Sequence, residues 1–309
     1  MEKILLLGGN GFIGTHFQRV ISECYSGDFE LIVLGRTSVS AFDFINYSID
    51  LSDFGAIEQI LLKEKIDYVV NLAGVNKVEL LEKGISSNLV ISNNLLQAIA
   101  KNKIKHIKKI LLIGSASEYG SNQNIPLDED SVTNPINFYG LSKLYQTLCA
   151  SFYYRVYNIP VCIARTFNII GSGTSTASAI GSFKEKIDMS LSDNNRISVG
   201  YIDSVRDYLD IDDVIEAYIT ILKKGDLGEI YNVCSSEGVT MRKILQEMIK
   251  ISKKNLIIDS LSAPFPYEIE KSVGNNSKLK KIGWDITHSL EQSIKKMMNN
   301  EKDFFIYRK

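Results

Sequence analysis

Cysteine and histidine are scarce in this chain. The four cysteines (Cys24, Cys149, Cys162, Cys234) and three histidines (His16, His106, His288) stand singly, with no Cys-x-x-Cys pair among them. Metal sites usually recur as closely spaced ligands, so no metal is expected. Isolated cysteines give no disulfide framework either, and a reducing cytoplasm fits them. Surplus charge is also missing: 35 Lys+Arg against 36 Asp+Glu leave a net charge of −1. That removes the electrostatic case for nucleic acid or an acidic membrane as partner. No apolar run approaches the roughly 18 residues of a membrane span. The longest, at 4–7 and 110–113, are strand-sized. Nothing reads as a signal peptide, so a cytoplasmic protein is expected.

What the 309 residues do contain is ordinary for a folded protein: 45% hydrophobic and 23% charged. That is enough for one large α/β core, or for a core with a smaller second lobe. Strands are expected over 3–7, 31–34, 68–72 and 110–113. They alternate with helices starting near Phe12 and running over 54–63 and 88–100. Such alternation implies crossover connections and a doubly wound parallel sheet covered on both faces. One more strand is expected over 161–164, then a loop rich in Gly, Ser and Thr at 168–176. Helices follow over 180–191, 214–223 and 241–251, with a returning strand over 230–233. Residues 1–165 are read as mainly the nucleotide-binding core. Residues 166–309 are read as mainly a smaller C-terminal lobe, some of whose segments return to the core.

Between the first strand and helix stands Gly8-Gly9-Asn10-Gly11-Phe12-Ile13-Gly14. Glycines at 8, 11 and 14 suit a tight turn, close approach to a pyrophosphate, and close packing of helix on strand. At the end of the second strand an NAD enzyme usually presents Asp or Glu to the adenosine ribose. Here the strand runs into Arg36-Thr37-Ser38. A guanidinium with two hydroxyl neighbours suits the 2′-phosphate of NADP, although Arg36 also reads as an ordinary surface arginine. Asp50-Leu51 is placed to meet the adenine, or Asp50 to cap the helix near residue 54.

Tyr139-Gly140-Leu141-Ser142-Lys143 forms a Tyr-x-x-x-Lys whose two side chains share one face of a helix. An ammonium beside a phenol is expected to lower the phenol's pKa, so that Tyr139 trades a proton with a sugar oxygen. The pattern gains weight from its place after the fourth strand and from its companion Ser115.

With these residues in view, the chain resembles the extended short-chain dehydrogenase/reductases, in the branch that modifies nucleotide sugars on a Rossmann core. The matching stretches are ordered along almost the whole length. They are residues 8–14, Asn71-Leu72-Ala73-Gly74, Asn88, Gly114-Ser115-Ala116-Ser117-Glu118-Tyr119-Gly120, residues 126–129 and Tyr139–Lys143. Later come Arg165-Thr166-Phe167-Asn168, Val205-Arg206-Asp207-Tyr208, Asp212-Asp213-Val214, Tyr231-Asn232-Val233, Ser277-Lys278 and Ile282-Gly283-Trp284. The resemblance implies Tyr139 as acid/base, Lys143 on the nicotinamide ribose and Ser115 on the reacting oxygen. It implies that Asn88 holds a helix kink or a water near the lysine. Phe12, Ile13, Leu72, Ala73 and Gly74 fall to the cofactor. Ser117, Asn168 and Arg206 fall to the sugar nucleotide, unless Arg206 merely pairs with Asp207.

The 4,6-dehydratases of that branch carry two acids directly after the catalytic Thr or Ser. Ala116 and Ser117 stand there instead, so dehydration is not expected. Two enzymes remain. One is an NADPH-dependent 4-ketoreductase acting on a nucleotide-linked 4-keto-6-deoxyhexose in deoxysugar biosynthesis for surface polysaccharide such as lipopolysaccharide. The other is a 4-epimerase with bound NAD. Arg36 favours the first, as does the likeness of residues 204–210 and 228–235 to GDP-4-keto-6-deoxy-mannose reductases. Those reductases place an arginine about where Phe265 stands, which leaves the nucleotide base open. A non-catalytic cofactor-binding protein is the third reading, opposed by the complete Ser115, Tyr139, Lys143 set. Relatives commonly dimerise through the helices after Asn88 and around Tyr139. Leu144, Leu148, Phe152 and Val156 supply a stripe for such a homodimer or for the core.

Overall fold

The first strand, β1 (Glu2–Leu7), has four consecutive buried apolar residues, Ile4 to Leu7. Side chains alternate along a strand, so an unbroken apolar run needs cover on both faces. Ile4 and Leu6 pack into one cluster with Phe17, Val20 and Ile21, while Leu5 and Leu7 pack into another with Ile57, Leu61 and Leu96. Each such side chain contributes roughly 1.5–3 kcal/mol by leaving water. In the computed structural model, residues 1–37, 42–75, 79–122, 125–190, 195–264 and 268–299 are described.

Along the chain, β1 is followed by α1 (Phe12–Cys24), β2 (Phe29–Gly35), β3 (Ile45–Ser48), α2 (Phe54–Lys63) and β4 (Tyr68–Asn71). Next come α3 (Leu81–Gly84), a π-helical turn (Ile85–Val90) and α4 (Ile91–Lys101), then β5 (Lys109–Ser115), a short 3-10 turn (Ala116–Glu118), α5 (Phe138–Tyr157) and β6 (Val161–Thr166). The strands form a parallel sheet in the order β3-β2-β1-β4-β5-β6, and a later strand extends it beyond β6. The chain reverses direction across the sheet between β1 and β4. In a doubly wound sheet the crevice at that switch point is where ligands settle.

The remainder divides its loyalty. The segments β7 (Asn168–Ile170), α6 (Ala179–Met189), β8 (Arg196–Val199) and β9 (Val205–Asp210) leave the sheet. Then α7 (Ile211–Lys224) and β10 (Ile230–Val233) go back: β10 pairs in parallel with β6 as the seventh strand. After β11 (Gly238–Thr240), α8 (Met241–Ser252), β12 (Ile257–Ser260), β13 (Lys271–Ser272) and α9 (Ser277–Lys281), the described chain ends in α10 (Leu290–Asn299). A separate apolar cluster, including Phe183, Ile197, Tyr208, Ile244, Met248 and Ile294, unites α6, α8 and α10 over β8 and β9.

Four local expectations are revised, the first being the loop expected over 168–176, which opens as strand β7 paired with β9. The helix expected to start at Asn88 is already turning at Leu81 and passes through the π turn. Helix α6 stops at Met189, because Ser190 adopts ψ of 125° and leaves helical geometry. Strand β3 was not anticipated: it lies at the sheet's edge, half-exposed, with no apolar run to announce it. Among the described residues, no helix is long and apolar enough to cross a membrane.

Candidate active site

The turn after β1 has no room for side chains. Gly8 has φ of +78°, and a Cβ there would stand 2.7 Å from the Ala73 nitrogen. A Cβ on Gly14 would stand 2.4 Å from the Gly9 carbonyl oxygen. Gly11 is different. Its nearest protein neighbour would be 3.5 Å from a Cβ, so nothing inside the protein demands glycine there. It is the N-cap of α1, with no side chain capping the helix and no acid in the first turn. A helix start with free amides and no Cβ over it favours an anion such as a pyrophosphate. Asn10 reaches across from this turn, its Nδ2 donating to the Thr37 carbonyl (2.7 Å) and hydroxyl (2.8 Å). That tie between the turn and the end of β2 joins residues 27 apart and was invisible in the sequence.

Arg36 and Thr37 are exposed at the end of β2. Ser38 lies outside the described residues. Asp50 does not cap the helix: Asp53 does, accepting from Gly55 (2.8 Å) and Ala56 (3.2 Å). Asp50 instead accepts the amide and hydroxyl of Ser52, which hold its carboxyl below the usual range with help from nearby Arg36. The Leu51 side chain belongs to the core under α2.

Across the switch point, Leu72, Ala73 and Gly74 follow β4. Asn71 steadies them by accepting the Ala73 amide at 3.0 Å. A Cβ on Gly74 would collide with Asn88 Oδ1 at 2.4 Å and lie 3.6 Å from Lys143 Nζ. Asn88, in the π turn, accepts from the Val75 amide (3.0 Å) and donates to the Val75 carbonyl (3.2 Å) and Ser142 hydroxyl (2.9 Å). The kink therefore buckles this loop directly onto the helix of Tyr139 and Lys143.

Tyr139 and Lys143 occupy the first turns of α5, capped by Asn137, which accepts the Gly140 amide at 2.8 Å. Gly140 is required because a Cβ there would meet the Ser117 carbonyl at 2.3 Å. This contact seats α5 against the turn after Ser115. Lys143 is buried, donating to the Ile113 carbonyl (2.9 Å) and Gln146 Oε1 (3.2 Å); burial brings its pKa down to about 8. Burial raises the Tyr139 phenol above its ordinary value, while the Ser115 side chain, hydrogen-bonded to it, pulls it back down. The direction is opposite to the one expected from Lys143. The reason is physical: the ammonium is engaged by Ile113 and Gln146, and the same burial disfavours both charged forms.

Ser115, Ala116, Ser117 and Tyr139 line one wall of a cleft of about 780 Å³, with Phe12 and Ile13 of α1 also in its lining. Such a volume lies within the range of small-molecule sites, roughly 300–1,000 Å³. The opposite wall comes from β7, α6, β9 and the connection between β8 and β9, and includes Asn168, Lys186, Tyr201 and Arg206. Asn168 donates to the Asp207 carbonyl at 3.0 Å. Arg206 does not pair with Asp207, whose carboxylate accepts from Ser235, Ser236 and Gly274. Its guanidinium donates to the Val205 carbonyl (3.0 Å) and stands 3.9 Å from Glu268, and burial lowers its pKa. Phe265 lies outside the described residues. Lys186, which the sequence had not singled out, brings a second cation to the cleft, its Nζ resting on the Ser198 carbonyl at 2.7 Å.

Two further groupings were hidden in the sequence. Asp210, Asp212 and His288 bring potential metal donors within 4.8 Å of one another. Asp210 caps α7 and accepts from Ser293, Asp212 pairs with Arg19 (2.6 Å) and Lys296 (3.4 Å), and His288 pairs with Asp213. Protein groups thus already engage all three. The other is Glu118, fully buried beneath Ser115 and paired with Arg165 at 3.0 Å.

Comparison with known proteins follows this geometry. A GDP-6-deoxy-D-mannose reductase of Pseudomonas aeruginosa is 28% identical over 310 residues, covering 97% of both chains. A dTDP-D-glucose 4,6-dehydratase of Dictyostelium discoideum is 28% identical over 277 residues, covering 82% of this chain but 62% of that protein's length. The solved structure of RMD from Pseudomonas aeruginosa complexed with NADPH superposes with a TM-score of 0.85 at 26% identity. It covers 97% of this chain and 98% of the other. Residues 4–234 match the NAD dependent epimerase/dehydratase family. The chain belongs to that family.

Proposed function

We propose that this protein uses NADPH to reduce the C4 ketone of a nucleotide-linked 4-keto-6-deoxyhexose. The observation that carries the reading is the reactive corner. Ser115 and Tyr139 line the cleft beside Phe12 and Ile13, with Lys143 one turn further along α5, while Ala116 and Ser117 leave no acid on the wall where a dehydratase needs two. The next residue, Glu118, is turned into the protein. When bound, NADPH supplies the hydride. The amides at the start of α1, with Gly8, Gly11 and Gly14, receive its pyrophosphate, and Leu72, Ala73 and Gly74 line its path to Lys143. Arg36 takes the 2′-phosphate. Thr37 joins it, since its oxygen accepts from Asn10 and its proton remains to donate. NAD(H) fits the same cradle without the contribution of Arg36.

At the substrate end, Arg206 and Lys186 face the diphosphate, and Asn168 and Ser117 the sugar side. Tyr139 donates its proton to the alkoxide forming at C4, for which a phenol kept protonated by burial is suited. Ser115 stabilises that oxygen. The test mixes enzyme, NADPH and GDP- or dTDP-4-keto-6-deoxyhexose and follows cofactor absorbance. Stoichiometric oxidation is the expected result. Interconversion of 4-hydroxy sugar nucleotides with no net cofactor use would establish the 4-epimerase instead, and binding without any turnover the non-catalytic protein.

A homodimer through α5 accompanies this proposal. Leu148, Phe152 and Val156 are 55%, 46% and 55% exposed, too open for a core stripe, and Leu148 adjoins Leu89 and Val90. Light scattering at micromolar concentration should give twice the monomer mass, and Leu148→Lys should halve it.

A further inference from the structure

Glu118 lies behind the cleft, yet it touches each element that builds the reactive corner. Oε1 accepts the Ser115 amide at 2.8 Å. Oε2 accepts the Thr147 hydroxyl (2.8 Å) and Arg165 Nε (3.0 Å). Thr147 stands on α5 one helical turn beyond Lys143, and Arg165 stands on β6. Strand β5 runs so close that a Cβ on Gly114 would meet Oε1 at 2.6 Å. Arg165 is buried in turn, with its guanidinium 4.6 Å from the centre of the Tyr119 ring and donating to the Glu129 carbonyl.

A buried ion pair is a poor device for stability alone, because desolvation offsets much of its attraction and apolar residues fill such a space as well. What the pair does supply is direction. Ser115 comes from a strand end and Tyr139 from a helix, and proton transfer needs their oxygens held to within about 0.5 Å. We propose that Glu118 is a positioning residue for the Ser115–Tyr139–Lys143 group, locking the end of β5 to α5 and fixing a negative charge behind them. The proposal rests on the reductase reading only for the substrate used in its kinetic test.

The charged and titratable groups around this anion are Arg165 from β6, Lys143 and Tyr139 from α5, Tyr119 from the adjoining turn and Glu129 from the next loop. Tyr218 of α7 faces Tyr139 from another side. The carboxylate raises the pKa of both Lys143 and Tyr139. Its removal therefore lets both groups lose their protons at lower pH.

Three variants test this: Glu118→Gln, Thr147→Val, and Glu118→Leu/Arg165→Met, the last leaving no unpaired charge. NADPH turnover is followed against pH, and NADPH binding is titrated against pH by its fluorescence without sugar. Glu118→Gln should lose about 10- to 100-fold in kcat with KM within about threefold, as for a displaced reacting group. Its alkaline limb should move to lower pH in both measurements, and the double variant should move likewise. Thr147→Val should lose about three- to tenfold in kcat, as the loss of one hydrogen bond allows while Glu118 keeps its other partners, with its limb in place. Folded Glu118→Gln or double variant with wild-type kcat and an unmoved limb would overturn the proposal. If the wild type reduces no 4-keto-6-deoxy sugar nucleotide, the reductase reading fails. The binding limb then judges Glu118 alone: moved supports it, unmoved overturns it.

Discussion

On the β1 side of the cleft, backbone comes to the surface: Gly8 and Gly14 have no space for a Cβ, and Gly11 opens onto bare helix amides. On the β9 side, the walls are side chains, with Arg206, Lys186, Asn168 and Tyr201 projecting from segments that belong to another core. A backbone surface changes little between sequences, because its shape follows from strand, turn and helix geometry. A side-chain wall changes with every substitution. The glycine-turn half thus suits one fixed ligand class, while the side-chain wall is free to differ from one sequence to another.

This contrast can be broken at three places. Tyr139→Phe lies between the glycine turn and the β9 wall and, keeping its ring, reshapes neither. Turnover should fall about 10²–10⁴-fold with sugar-nucleotide and NADPH binding nearly intact, measured by steady-state kinetics beside calorimetric titration. A parallel loss of affinity would mean that the Tyr139 hydroxyl helps to hold the ligands. Arg206→Ala strikes the side-chain wall. It should weaken sugar-nucleotide binding by about 1.5–3 kcal/mol, the scale of a charged hydrogen bond, while NADPH affinity holds. Equal weakening of both ligands would merge the two halves. Arg36→Ala, the mildest, removes the charged side chain expected to matter on the backbone side. NADPH should weaken by roughly 1–3 kcal/mol with NADH almost unchanged. Equal losses for both cofactors would remove Arg36 from the 2′-phosphate.

The same contrast governs what could be read from the sequence. The glycine turn and Tyr139–Lys143 were legible because each is a local pattern with a local cause. The parallel sheet was legible because strands such as β1 and β5 are buried along their apolar runs. Strand β3 was not, since an edge strand with half-exposed residues has no such signature. Asn10, Lys186 and Glu118 were missed for a different reason. Their partners Thr37, Ser198 and Arg165 are distant in sequence, and no spacing rule links them. Asp50 was misread as a cap although the helix start was read correctly: a helix beginning at Phe54 takes its cap from the residue just before it, Asp53. The direction of the Tyr139 shift required knowing which carbonyl Lys143 reaches, and only the fold supplies that.

Strand β10 has one more consequence. It pairs with β6, yet about sixty residues, including the β7–β9 wall of the cleft and helix α7, lie between them. During synthesis the flank of β6 stays open until that whole stretch has left the ribosome. The glycine-turn half is therefore finished only after much of its neighbour has been made. A fragment ending at residue 166 would present a bare strand edge rather than a small dinucleotide-binding protein. Unpaired edges invite other strands, so such a fragment is a candidate for aggregation. Order of assembly, then, ties together two walls that the ligands will later need at the same time.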